Sequence, residues 1–193
     1  MAQRSPAIHR VRGEKSLALL ASPVRIELIG ALQTHGPSSI RELARHVDRP
    51  ADGLYHHVRK LLKAGALRET EPRKVGRHLE AVYALTAPRV GGALDPSSPG
   101  SRQAVKRTAH AALRMAAREF AAAIDAGEGD REGPAPCLRA SRQKTWLTEP
   151  ALVQLHGYVH KIERLLSAHN ERKRGRLYVL TTVLSPLVKR RRQ

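Results

Sequence analysis

The chain has 193 residues, room for one large domain or two small ones, and 35 Lys+Arg against 17 Asp+Glu give it a formal charge of +18, so an acidic partner is the first expectation. Apolar residues make up 41% of it, which excludes disorder throughout, and one Phe, one Trp and four Tyr mean that aliphatic side chains fill the core. A single cysteine, Cys137, excludes an intramolecular disulfide and a cysteine-built zinc site, and no run of about 18 apolar residues is present to span a membrane.

The first segment, MAQRSPAIHRVRGEKS, is basic but lacks the apolar core of a signal peptide, so it reads as a basic arm and the expected address is cytoplasmic. Ser22-Pro23 then marks a helix start, because a serine hydroxyl can cap an orphan amide and proline at the first helical position loses nothing. Val24, Leu28, Ile29 and Leu32 fall on one face of this helix, which stops near Gly36-Pro37. Ser38 or Ser39 caps a short second helix, IRELARHV, with Ile40, Leu43, Ala44 and Val47 at helical spacing. After a break at DRP (48–50), a third helix is expected from Ala51 to Ala64, ending at Gly65. Two short helices joined by such a turn form a helix-turn-helix.

Residues 66–70 and 79–85 then favour strand, flanking a polar tip, EPRKVGRH, where Gly76 allows the positive backbone angle that many hairpins need. A hairpin appended to a helix-turn-helix is a wing. The stretch APRVGGALDPSSPGS (87–101) has the turn-rich composition of a linker, and AGEGDREGPAP (126–136) makes a second break.

Beyond the linker, Val105, Ala109, Leu113, Ala116, Phe120 and Ile124 form one stripe on a long helix from Ser101 to Ala126. A second stripe, Leu152, Leu155, Val159, Ile162 and Leu166, begins after Thr148-Glu149-Pro150. Strands are expected on either side of it, weakly at LRASRQKTWL (138–147) and more strongly at RLYVLTTVLS (176–185), which is rich in β-branched and aromatic residues and stops at Pro186. The expected architecture is mostly α with a small amount of β (α+β): a winged helix-turn-helix, a long dimerisation helix and a small strand-helix-strand unit. The boundaries read as 1–88 for the winged domain with its basic arm, 89–100 for the linker, 101–186 for the helical dimerisation and possible effector region, and 187–193 for a basic tail.

The run SPVRIELIGALQTHGPSSIRELARHVDRPADGLYHHVRKLLKAGALRE resembles the winged helix-turn-helix of ArsR-like bacterial transcription regulators, above all in RPADGLYHHVRKLLKAG, where that family has a recognition helix ending in an Ala-Gly pair before the wing. The resemblance covers roughly residues 14–88 and implies a homodimer on double-stranded DNA, acting as a repressor. Metal-responsive members of the family carry a Cys-x-Cys type motif at the first helix of the helix-turn-helix. The matching stretch here, IRELARHV, has no cysteine.

With Leu54 at zero on a helical wheel, Val58, Leu61, Leu62 and Gly65 lie within about 80° and form the core face. Asp52, His56, Arg59, Lys60 and Lys63 fall between about 140° and 240°, with Tyr55 at the side, a combination of cations and hydrogen-bonding groups that a major groove can accept. Asp52, Tyr55, His56 and Arg59 are the expected base readers; Arg59 is suited to a bidentate guanine contact. Lys60 and Lys63, with Arg41 and Arg45 on the preceding helix and Arg73, Lys74 and Arg77 on the wing, are the expected phosphate and wing contacts. His57 lies nearer the core boundary, either bonded to backbone or touching DNA. The excess of 26 arginines over nine lysines fits phosphate and guanine recognition, although codon bias gives the same excess.

A symmetric DNA reader usually needs a dimer, and the two stripes, with Val105, Leu113, Phe120, Ile124, Leu152, Leu155, Val159 and Ile162, are assigned jointly to intrachain packing and to its interface, packing within one chain alone being the alternative. His156 and His160 share a helix face but have no third ligand fixed by spacing, so neither a metal nor another cofactor is expected. A small-molecule effector, if there is one, is expected between the long helix and the 176–185 strand. No phosphate loop, nucleophile elbow or framed carboxylate pair points to an enzyme. The alternative class is a non-specific nucleic-acid-binding protein, nucleoid-associated or RNA-binding, that works through net charge.

Overall fold

The computed structural model describes residues 8–11, 19, 21–92, 95, 97–130, 136–172 and 174–188. Most of the basic arm, and the KRRR of the basic tail, lie outside the described residues.

Helix α1 (Pro23–His35) begins as expected at Ser22-Pro23, but the serine side chain makes no cap bond; the Ser22 carbonyl instead accepts from Arg25 N and Ile26 N. Helix α2 (Ile40–His46) has a full capping box: Ser39 Oγ accepts from Glu42 N at 3.3 Å, and Glu42 Oε2 accepts from Ser39 N at 2.8 Å. Asp48, at φ 49°, turns the chain into α3 (Ala51–Lys63). This helix closes in a Schellman motif, with Gly65 N bonded to Leu62 O and Ala66 N to Leu61 O, a geometry that needs the φ of 70° at Gly65. Leu28, Leu43, Leu54, Val58 and Leu61 meet between the three helices at 0–1% exposure. Each such side chain contributes roughly 1.5–3 kcal/mol by leaving water.

The sheet against these helices has the order β2-β4-β3, from β2 (Ser38–Ser39), β3 (Leu67–Val75) and β4 (His78–Leu85). The hairpin is longer than its sequence suggests. Most of the supposed polar tip is paired, with Arg73 opposite Glu80, Lys74 opposite Leu79 and Val75 opposite His78, past an irregularity between Thr70 and Arg73. Only Gly76 and Arg77 turn, Gly76 at φ 60°. A strand with both faces in water carries no apolar alternation, so its length is set by pairing and is invisible to periodicity. The same holds for β2, two serines held opposite Tyr83 and Val82.

Strand β1 (Ile8–Val11) pairs in parallel with β5 (Arg89–Gly92), which corrects the reading of 89–100 as linker throughout. Helix α4 (Pro99–Asp125) starts two residues before the expected Ser101, because Ser98 Oγ accepts from Ser101 N at 3.1 Å. Its Ala104, Ala111 and Met115 are buried, and it packs on α1. A short 3-10 turn (Glu128–Asp130) follows, and then α5 (Glu149–Arg172), none of whose described side chains is buried.

The expected strand-helix-strand unit does not form. Residues 138–147 and 176–185 carry no strand, and the side chains from Arg176 to Val188 are all exposed. β-branched content reports a segment fit for a sheet, but a strand exists only where a neighbour supplies the ladder. The fold is therefore α+β: a winged helix-turn-helix region followed by long helices.

Candidate nucleic-acid interface

Because Leu54, Val58 and Leu61 are committed to the core, the geometry of α3 turns Asp52, Tyr55, His56, Arg59 and Lys63 outward, and all five are exposed. Lys60 is half-buried at the edge of this face. The N-cap position of α3 is Pro50 and makes no side-chain cap bond, so Asp52 in the first turn complements the helix dipole without capping it.

His57 is half-buried, and its bond runs to a side chain where a backbone partner was one of the two readings. Its Nδ1 lies 3.3 Å from the Arg25 guanidinium, which can only donate, so the ring accepts there and carries its proton on Nε2. Burial first, then the charges of Arg25, His56, Lys60 and Arg49, hold its pKa below the ordinary histidine value. Arg25 is itself buried and donates to the Leu19 carbonyl through Nε. No periodicity argument singles out this arginine, because it occupies a position on α1 that an apolar residue normally takes.

Two of the expected phosphate contacts are already paired with carboxylates. Arg41 lies 2.9 Å from Glu80 on β4, and Arg73 donates to Glu42 Oε1 at 2.7 Å. Glu42 thus caps α2 with one oxygen and holds the wing with the other. The Ser39 amide, followed by Arg73 and Arg45, keeps its carboxyl below the usual range, against the opposing effect of burial. The Arg41 pair is looser: Glu80 Oε1 is buried without an aligned hydrogen bond, so charge alone satisfies it. Both arginines stay largely exposed and can reach a phosphate by giving up their carboxylates. Arg45, Lys74 and Arg77 are exposed as well.

Sequence reasoning missed the acidic half of these pairs, and Glu42 had a visible signal as the third helical residue after Ser39. It also missed Arg49 to Glu27 at 2.9 Å, which ties the start of α3 to α1. Between α2, α3 and β4 lies a cleft of about 290 Å³ lined by Ser39, Arg41, Tyr55, Leu79, Glu80 and Tyr83.

The expected dimer residues remain available. On α4, Val105 and Phe120 are half-buried and Leu113 and Ile124 exposed, one helix face round from the side that meets α1. On α5, Leu155 and Val159 are half-buried and Leu152 and Ile162 exposed. His160 Nδ1 sits 3.0 Å from Glu163 Oε2. Among the described residues no three His, Cys, Asp or Glu side chains gather in a metal-binding group, and no helix is long and apolar enough to cross a membrane. The effector chamber expected beside a 176–185 strand does not exist among the described residues, since that strand is absent and its side chains face solvent.

A family model described as HVO_A0114 matches residues 20–84, which contain α1 to α3 and nearly all of the wing hairpin. No curated protein matches the chain. Among solved structures, NMB1585, a MarR family regulator from Neisseria meningitidis, is similar over 78% of this chain and 80% of its own at 13% identity and a TM-score of 0.31, a likeness too slight to speak for function.

Proposed function

We propose that the chain is a sequence-specific DNA-binding transcriptional regulator, a repressor that binds across its promoter as a homodimer. The observation that carries this reading is the outward face of α3, where Tyr55, His56, Arg59 and Lys63 are exposed together on the third helix of a winged motif. A helix of that width enters a major groove with its side chains at base edges. Arg59 reads a guanine, His56 and Tyr55 contact neighbouring base edges, and Asp52 takes a cytosine amino group. Lys60, Lys63, Arg41 and Arg45 hold phosphates, and the wing places Arg73, Lys74 and Arg77 on the adjacent minor groove or its backbone. ArsR-like membership rests on the RPADGLYHHVRKLLKAG motif alone.

The α4 and α5 stripes supply the homodimer contact, which sets two α3 helices on one side of the duplex. Half-sites in a palindrome are then about 10 bp apart, or a multiple of that. The deciding experiment is to sequence the genomic fragments that the purified protein retains and to titrate it on the recovered site against a scrambled duplex. The charge of +18 favours a second reading, non-specific nucleic-acid binding, for which the same titration shows steep salt dependence with no preferred site.

A further inference from the structure

We infer that residues 177–185 form an antiparallel β-strand with the same residues of a second copy of this chain, so that an intermolecular ladder about a two-fold axis completes the dimer. This deepens the proposed dimeric regulator and rests on its dimer half only. The starting observation is an unmatched surface: the eight large apolar side chains between Leu177 and Val188 are 53–83% exposed. Six of them lie within 177–185, and at roughly 100 Å² each they present about 600 Å² per copy, most of the area of about 800 Å² that one partner gives to a standard interface. Among the described residues no backbone hydrogen bond joins 177–188 to another element.

Alternation adds a second argument. Leu177, Val179 and Val183 fall on one face of an extended chain, and Tyr178, Leu180 and Leu184 on the other. A strand apolar on both faces belongs inside a sheet, with neighbours on its edges and cover above and below. Among the described residues no strand pairs with its edges.

Charge selects the occupant. Two copies at +18 repel wherever their cations meet, but between Arg176 and Lys189 the sequence holds no Lys, Arg, Asp or Glu. An uncharged stretch of this length suits a second copy and offers nothing to a phosphate. Pro186, which lacks an amide proton, and Arg176 set the limits of a ladder centred near Thr181, with no cation opposite another inside it. Arg176 pairs with Glu128, three residues past the end of α4, so the segment starts beside that helix's C-terminus.

The test uses the full chain without DNA. Cys137→Ser removes the native thiol, and single cysteines are then placed in turn from 177 to 185. Paired residues at a two-fold axis have Cα atoms about 4.5–5.5 Å apart, within disulfide reach, whereas four residues of offset part them by about 13 Å. Oxidative cross-linking between copies is expected to peak at one position near Thr181 and to fall away within two residues on either side. Val179→Pro is expected to weaken the dimer at least about 100-fold in sedimentation equilibrium, whereas Arg174→Pro, outside the ladder, leaves it intact. Circular dichroism of each variant reports whether the winged domain still folds. A flat cross-linking profile, a dimer indifferent to Val179→Pro, or a monomer whose 177–188 segment inserts into neutral lipid vesicles overturns the inference. Because DNA is absent, a failure here leaves the DNA-binding reading standing, and loss of site preference on DNA leaves the ladder standing.

Discussion

Residues 21–92 and residues 136–188 are built from similar aliphatic material, yet they treat it in opposite ways. In the first region Leu28, Leu43 and Leu61 are fully buried, while in the second Val188 is 83% exposed and no described side chain is buried. The difference lies in neighbours. Three short helices and a hairpin fold back within some sixty residues, so each apolar face finds a partner at low loop-closure cost. Among the described residues neither 138–147 nor 176–185 pairs with a strand, so the helix between them gains no sheet to pack on. An exposed apolar surface of this extent marks an interaction site, which is the ground for the ladder inferred above.

The largest effect expected from breaking this contrast is on stability. Leu43→Ala is expected to cost about 2–5 kcal/mol by opening a cavity between α1, α2 and α3, whereas Leu180→Ala leaves the monomer's stability within about 0.5 kcal/mol. Urea unfolding at low concentration, where the monomer dominates, separates the two. If Leu180→Ala proves as costly there as Leu43→Ala, the second region has an intrachain core after all.

Next in size is recognition. Arg59→Ala is expected to lose about 1–3 kcal/mol at the preferred site and to relax one base position, while Lys74→Ala weakens matched and scrambled duplexes alike. Titrations of both duplexes at one salt concentration decide it, and equal losses for Arg59→Ala would move that residue to the phosphate group. Ser39→Ala removes the hydroxyl that accepts from Glu42 N but keeps the backbone amide that holds the Glu42 carboxylate. About 1 kcal/mol of stability is expected to go, with the Glu42 to Arg73 pair and the affinity for DNA unchanged.

Smaller shifts come from pH and metal. Burial, followed by neighbouring positive charge, lowers the pKa of both His46 and His57, and His46 stacks on His35 with ring centroids 3.7 Å apart. A folded-state value below the unfolded one means that the unfolded chain binds more protons. The stability these rings add is therefore whole above the ordinary value of 6.5 and is lost as pH falls through their lower folded values. Urea midpoints are expected to drop between about pH 7.5 and about pH 5, and His57→Gln should flatten part of that slope. Chelation followed by added zinc is expected to leave operator affinity unchanged. A shift of about tenfold that vanishes when His156 and His160 both become Ala would reveal a metal site on α5.

Much of the winged region was legible because its signals are local. Ser22-Pro23, Gly36, Ser39 with Glu42 and Gly65 mark helix ends through backbone chemistry that each residue carries with it, and the spacing of Leu54, Val58 and Leu61 decides which face of α3 turns inward. That division places Tyr55, His56 and Arg59 in solvent without reference to anything distant. What the sequence could not decide depends on partners remote along the chain. The two-serine strand opposite Val82 and Tyr83, the pairing of Ile8–Val11 with Arg89–Gly92, the Arg25 to His57 bond and the carboxylates that hold Arg41 and Arg73 exist only once the folded chain brings those groups together. Residues 176–185 make the same point in reverse: side chains of strand character are a local property, but a strand is a hydrogen-bonded pair, and only tertiary structure reveals that none of the described residues supplies the second member.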